Sequence, residues 1–366
     1  MTAGEIALTA LIVGFIVTLV AITGFAYTTL YERKLLARFQ HRVGPNRAGY
    51  IPIPRRGKKE YRLLAGFLQP AADAVKLFFK EDTTPAMVDK PVYNLAPMLA
   101  AISAIMMFAV IPFAPEITIL GHTFFPYFAV APGLNVALLF ILAITSIGVY
   151  SVVLGGWASN SKYAVMGGIR ATAQMISYEL AMGLAVIPVI MLADSMNLGV
   201  ITESQQGMWF VFLQPLAAFI FFIGILAELE RAPFDLLEAE QELSSGFNVE
   251  YGGMRFGMFY MTQYMKMIAF SAIFAVLFLG GYRGPFIDQA PALGFIYIAG
   301  KTILLMGVMI WIRATLPRFR YDQLMGLGWK RLLPIGLANV IITAFFIILV
   351  EENILSLDKI LGIVGL

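Results

Sequence analysis

Residues 133–155 read GLNVALLFILAITSIGVYSVVLG, twenty-three positions without one Asp, Glu, Lys, Arg or His. A helix of that length rises about 34 Å, enough to cross a hydrocarbon core about 30 Å thick. So long an apolar run reads as a membrane span. Seven comparable runs accompany it, at about 5–30, 93–114, 171–193, 208–228, 257–281, 293–313 and 332–350. The shorter stretch Ile117 to Val130, interrupted by Gly121 and His122, is expected at the surface. The apolar tail after Glu352 leaves room for a ninth span. The expected fold is therefore all-α and polytopic. It is a single membrane domain over residues 1–366, with about eight transmembrane helices and amphipathic helices in the loops.

Composition says the same. Hydrophobic residues make up 59% of the 366, charged residues 13%, and mean hydropathy is +0.79. A soluble protein of this size could not cover itself with so few charges. There is no cysteine, which excludes disulfides, a thiolate zinc site and a cysteine-held iron–sulfur cluster. His41 and His122 are the only histidines, too few and too far apart in sequence for an obvious haem pair. No phosphate-binding glycine loop, HExxH helix or nucleophile elbow is present, so nothing points to nucleotide binding or hydrolysis by this chain.

The few charges are unevenly placed. The loop 31–92 holds thirteen Lys and Arg, and the third, fifth and seventh loops bring the total on that side to 22 of 26. By the positive-inside bias those loops are cytoplasmic and both termini lie outside. The first span is too long for a cleaved signal peptide and leads into charge rather than a cleavage site.

Four constellations on or near that inner face carry the chemistry. The first loop opens with Glu32-Arg33-Lys34 and continues through Arg42 to Gly44-Pro45-Asn46. It reads either as a basic patch for anionic lipid or as an ordered turn lining a polar cavity. Leu64 to Phe79 has apolar residues on one helical face and Gln69, Asp73, Lys76 and Lys80 on the other, an interfacial amphipathic helix. There Asp73 is by default a solvated partner of Lys76. Glu179 falls inside the fourth span, where an ionisable group marks an ion or proton path or packs as a neutral acid. The fifth loop, 229–256 with Glu228 at its edge, carries seven acids against Arg231 and Arg255. Asp235, Glu238 and Glu242 would stack on one helical face, so they need compensating arginines, protonation or a partner. Lys266 and Lys301 fall within spans as further intramembrane charges, and each reads as a snorkelling residue near a helix end, Lys301 above all.

Taken together, Glu32-Arg33-Lys34, Leu68-Gln69-Pro70-Ala71-Ala72-Asp73, Ser177-Tyr178-Glu179, Arg231-Ala232-Pro233-Phe234-Asp235, Gly246-Phe247-Asn248-Val249-Glu250 and Arg318-Phe319-Arg320-Tyr321-Asp322 resemble one family, in its order and over nearly the whole chain. It is the quinone-site membrane subunit of the proton-pumping NADH:quinone oxidoreductase, respiratory complex I. The resemblance implies a multi-pass subunit of the bacterial inner membrane whose inner loops wall a quinone cavity. It implies quinone-binding arginines at Arg33, Arg42, Arg231 and Arg313. It implies a proton path through Asp73, Glu179, Glu228, Glu238, Glu240, Glu242 and Glu250. Quinone is then a substrate, while flavin and iron–sulfur clusters belong to partner subunits of the peripheral arm. Two departures stand out: Glu230 occupies a position where many members carry asparagine, and the stretch 50–62 is longer and more basic. Two rivals remain open. One is the homologous subunit of a membrane-bound hydrogenase or ferredoxin-linked complex. The other is a stand-alone cation/proton antiporter, which would not need large charged inner loops.

Overall fold

A computed structural model describes residues 3–49, 51–53, 61–63, 66–119, 122–235 and 246–351. α1 (Ala3–Phe39) is one unbroken helix that leads to a short hairpin, β1 (Ile51–Ile53) with β2 (Tyr61–Leu63), and to the surface helix α2 (Gln69–Phe79). α3 (Lys90–Met107) ends in a tight turn, and a second hairpin follows, β3 (Ala114–Ile119) paired antiparallel with β4 (His122–Phe128). α4 (Ala137–Ala158) and α5 (Lys162–Ala193) are long. α6 (Leu198–Ser204), α7 (Phe210–Leu213) and α8 (Pro215–Glu228) are short. α9 (Gly253–Phe278) and α10 (Leu293–Thr315) lead to α11 (Tyr321–Leu327), which runs through a π-turn into α12 (Leu333–Glu351).

Among the described residues, seven helical stretches are long and apolar enough to cross a membrane: α1, α3, α4, α5, α9, α10 and the rod from α11 to α12. The all-α polytopic fold holds. The fifth expected span differs, because it is broken into α7 and α8 at Gln214-Pro215. Proline has no N–H for the helix ladder and pushes the residue before it toward extended backbone, and Gln214 sits at φ −130°, ψ 59°. Pro215 then starts α8, where its missing donor costs nothing. The surface stretch read at 117–130 contributes to the second hairpin. The tail that left room for a ninth span lies outside the described residues.

α9 lies at the centre, 83% buried over its most apolar window, with Thr262, Lys266 and Ser271 buried among its apolar residues. α1 and α12 border the bundle and leave most of their apolar surface exposed. Small residues set the close approaches. A Cβ on Gly156 of α4 would lie 2.6 Å from the Ala164 carbonyl oxygen, so the turn into α5 closes only on glycine. A Cβ on Gly167 of α5 would lie 2.7 Å from the Gly246 Cα, which seats the far end of the acidic loop on that helix.

Candidate functional site

α1 does not stop at the expected membrane boundary near residue 30, so Glu32 and Arg33 are helical neighbours that leave the helix in different directions. Glu32 is buried, 2% exposed, and accepts from Arg231 Nη1 through Oε1 and Oε2 at 2.7 and 2.6 Å. Arg313, in the last turn of α10, donates to the same carboxylate. The Arg231 guanidinium also lies over the Tyr264 ring of α9, 4.4 Å from its centre. Burial works against the Arg231 charge, but the adjacent Glu32 carboxylate overcomes it and holds the guanidinium above its usual pKa. Three helices and the loop after α8 therefore meet on one carboxylate.

Arg33 faces the surface instead. It donates to Asp73 of α2 at 2.7 Å, and Gln69 Nε2 donates to the same acid at 3.0 Å. The expected Asp73–Lys76 pair gives way to this contact between helices, because α1 continues far enough to bring a guanidinium alongside. Arg42 lies exposed in the turn beyond α1.

The Arg231 loop is held from the seventh loop as well. Arg318 Nη2 donates to Asp235 at 2.9 Å, and the Phe319 N–H donates to the Pro233 carbonyl at 3.1 Å. Phe234 packs between Tyr178 and Phe319, with ring centres 5.4 and 5.7 Å away. For Asp235 the compensating charge is thus an arginine from another loop. Glu238, Glu240 and Glu242 lie outside the described residues. Glu250 is half-buried, and its carbonyl accepts from the Tyr93 hydroxyl at 2.6 Å. Tyr93 and Tyr251 stack there, ring centres 4.2 Å apart. Glu230 sits in the left-handed region, φ 54°, a conformation that asparagine tolerates better than glutamate.

Within the membrane portion two acids have defined surroundings. Glu228, the last residue of α8, accepts from Lys266 of α9 at 3.0 Å, and both side chains are at most 7% exposed. Lys266 does not snorkel. It reaches this position past Gly148 of α4, where a Cβ would lie 3.0 Å from its Nζ and 3.2 Å from Ser103 Oγ. Glu179 Oε1 lies 2.5 Å from Ser146 Oγ and 3.1 Å from Thr145 Oγ1, both on α4. Each hydroxyl is also within reach of the Leu142 carbonyl. A hydroxyl has one proton, so it can donate to an ionised Glu179, or turn to Leu142 and accept from a protonated one. The same turn of α4 thus faces Glu179 through its hydroxyls and Lys266 through its glycine. Lys301 is also anchored, donating to the carbonyls of Leu279, Gly281 and Arg283 beyond the end of α9 at 2.7, 2.8 and 2.8 Å.

The structure brings Arg231 and Arg313 together and leaves Arg33 and Arg42 outside that cluster. Sequence reasoning expects the loop arginines to balance buried carboxylates but does not single out Glu32 as the one they meet. It leaves Lys266 an unassigned charge, because nothing local names a partner 38 residues away. Among the described residues no group of three or more His, Asp or Glu is placed to hold a metal ion.

The chain matches the family model described as NADH dehydrogenase over residues 12–344. It is 48% identical to the second H subunit of the NADH-quinone oxidoreductase of Geobacter sulfurreducens, over 90% of this chain and 94% of that one. It is 48% identical to the first H subunit of the same enzyme in Geobacter metallireducens, over the same shares. To the NADH-quinone oxidoreductase H subunit of Syntrophotalea carbinolica it is 46% identical, over 92% of this chain and 94% of that one. With a buried carboxylate–arginine cluster, two acids inside the helical bundle and matches of this extent, the chain belongs to the NADH dehydrogenase family.

Proposed function

We propose that this chain, as a membrane subunit of an NADH-quinone oxidoreductase, walls part of the quinone cavity and passes protons between that cavity and the membrane. One observation carries the reading: Glu228 and Arg231 stand three residues apart on a single tight turn. Glu228 reaches down to Lys266 between the helices, and Arg231 turns aside to Glu32. A movement at either end of so short a segment is felt at the other.

Partner subunits of the peripheral arm, which hold the flavin and iron–sulfur clusters, deliver the electrons. Each quinone reduced to quinol takes up two electrons and two protons. Arg231 uses Nη1 on Glu32, while its Nε and Nη2 have no hydrogen-bond partner among the described residues. Arg313 joins Arg231 at Glu32, while Arg33 and Arg42 extend the positive charge along the exposed first loop. Inside the bundle, protonation of Glu228 weakens its pair with Lys266 and leaves the ammonium free to attract the other membrane acid, Glu179. Asp73, Glu238, Glu240, Glu242 and Glu250 lead protons to the inner face. The subunit lies in the bacterial inner membrane with these loops in the cytoplasm and both termini outside.

The test replaces Arg231 by alanine and, separately, Glu179 and Glu228 by glutamine in the intact complex, with assembly checked on native gels. Arg231→Ala should cut quinone reduction at least tenfold and spare reduction of a hydrophilic artificial acceptor by the peripheral arm. The glutamine variants should lower proton pumping in reconstituted vesicles. Wild-type quinone reduction in Arg231→Ala and wild-type pumping in both glutamine variants would refute the reading.

A further inference from the structure

Gln174 is fully buried on α5, five residues before Glu179. Its side-chain Nε2 donates to two backbone carbonyls, those of Ala227 and Phe234, each at 2.9 Å. These carbonyls bracket the segment 228–233, which carries both Glu228 and Arg231. The amide orientation is fixed by this pair, because a flip would set its oxygen against two carbonyl oxygens. The other end of the acidic loop meets the same face of α5, one helical stripe running through Gly167, Ala171, Gln174 and Tyr178. The Tyr178 hydroxyl then donates to the Leu324 carbonyl of α11 at 3.0 Å.

We propose that Gln174 is a positioning residue: its single amide group staples the turn between Glu228 and Arg231, so that an event at the guanidinium is delivered to the membrane acid. The proposal rests on the reading of Arg231 and Glu228 given above and deepens it. Gln174 touches no substrate. It works by closing the turn: the Glu228–Lys266 and Arg318–Asp235 pairs hold each end separately, whereas the Gln174 amide joins the two ends to each other. Loss of its two hydrogens should let Arg231 and Glu228 move independently, so that quinone binds less tightly and turnover pumps fewer protons.

Two variants in the assembled complex test this. Gln174→Met keeps the length and has no donor. Gln174→Glu has no donor when ionised but regains one when protonated. Gln174→Met should raise the KM for a short-chain quinone at least threefold and lower the protons pumped per electron. Its kcat with artificial acceptors should stay unchanged. Gln174→Glu should behave like Gln174→Met at alkaline pH and return toward the wild-type KM as pH falls, whereas Gln174→Met shows no such return. A residue that merely fills space would give both variants the same pH profile, and that result would overturn the proposal. So would a wild-type KM and pumping ratio in Gln174→Met, or failure of both variants to assemble, which would make Gln174 a folding residue. Arg231→Ala is measured alongside. If it also has a normal KM, the quinone reading itself has failed; if it alone is impaired, only the role of Gln174 has.

Discussion

Single residues in this protein matter chiefly through the partner each one meets. Glu228 and Lys266 are a buried pair, with Glu228 Oε2 left without a hydrogen-bond partner among the described residues. Taking away one member of such a pair leaves an uncompensated charge and costs about 3–5 kcal/mol, while replacing both is far milder. Lys266→Met alone should therefore lower the temperature at which the complex loses its native-gel band. Lys266→Met combined with Glu228→Gln should recover most of that loss, although the double variant pumps poorly. A double variant as labile as the single one would mean that the pair is not coupled. The chemistry of Glu179 and Glu228 was legible in the sequence because a carboxylate in an apolar run is conspicuous. The identity of their neighbours was not, since Ser146, Gly148 and Lys266 are ordinary residues until α4, α5 and α9 are packed together.

Among the elements, α5 organises the half of the molecule that bears the charged loops. It receives both ends of the acidic loop, the phenol contact to α11 and, through Glu179, the hydroxyls of α4. Its length exceeds what the sequence suggests: the expected span begins at 171, but the helix starts at Lys162. Hydropathy marks where lipid-like composition begins, whereas hydrogen bonding carries a helix on through polar residues as long as nothing breaks it. α1 overruns in the same way and so delivers Glu32 to the bundle. The break at Pro215 is in plain view as a residue, yet averaging over a window of apolar neighbours hides it. A test at this scale compares two glycines of α5. Gly167→Ala sets a Cβ 2.7 Å from the Gly246 backbone, whereas Gly183 has nothing within 4 Å. Gly167→Ala should cost about 1–3 kcal/mol and speed protease cleavage of the acidic loop in inner-membrane vesicles. Gly183→Ala should do neither. Equal cleavage rates would mean that the loop is not seated on α5.

For the whole molecule, the asymmetry of Lys and Arg gives an orientation that can be measured directly, because the chain contains no cysteine. A cysteine placed at exposed Lys80 should react with an impermeant maleimide only in inside-out vesicles, and one at exposed Asp288 only from the periplasmic side. Reversed labelling would invert the proposed topology. Fold class and family were readable from one dimension, because each is written in composition and local pattern. The ion-pair map was not, because it depends on which loops cross. That map also fixes a balance of charge. The Glu228–Lys266 pair matches one acid with one base, but among the described residues Glu32 faces two guanidinium groups, so this cluster carries an excess positive charge at its edge, where Arg313 is partly exposed. Such a fixed field favours an added electron nearby. An acceptor brought up to this rim becomes a stronger oxidant than it would be beside a balanced pair. On the quinone reading proposed above, the protein tunes a redox couple whose electron donors sit on partner subunits.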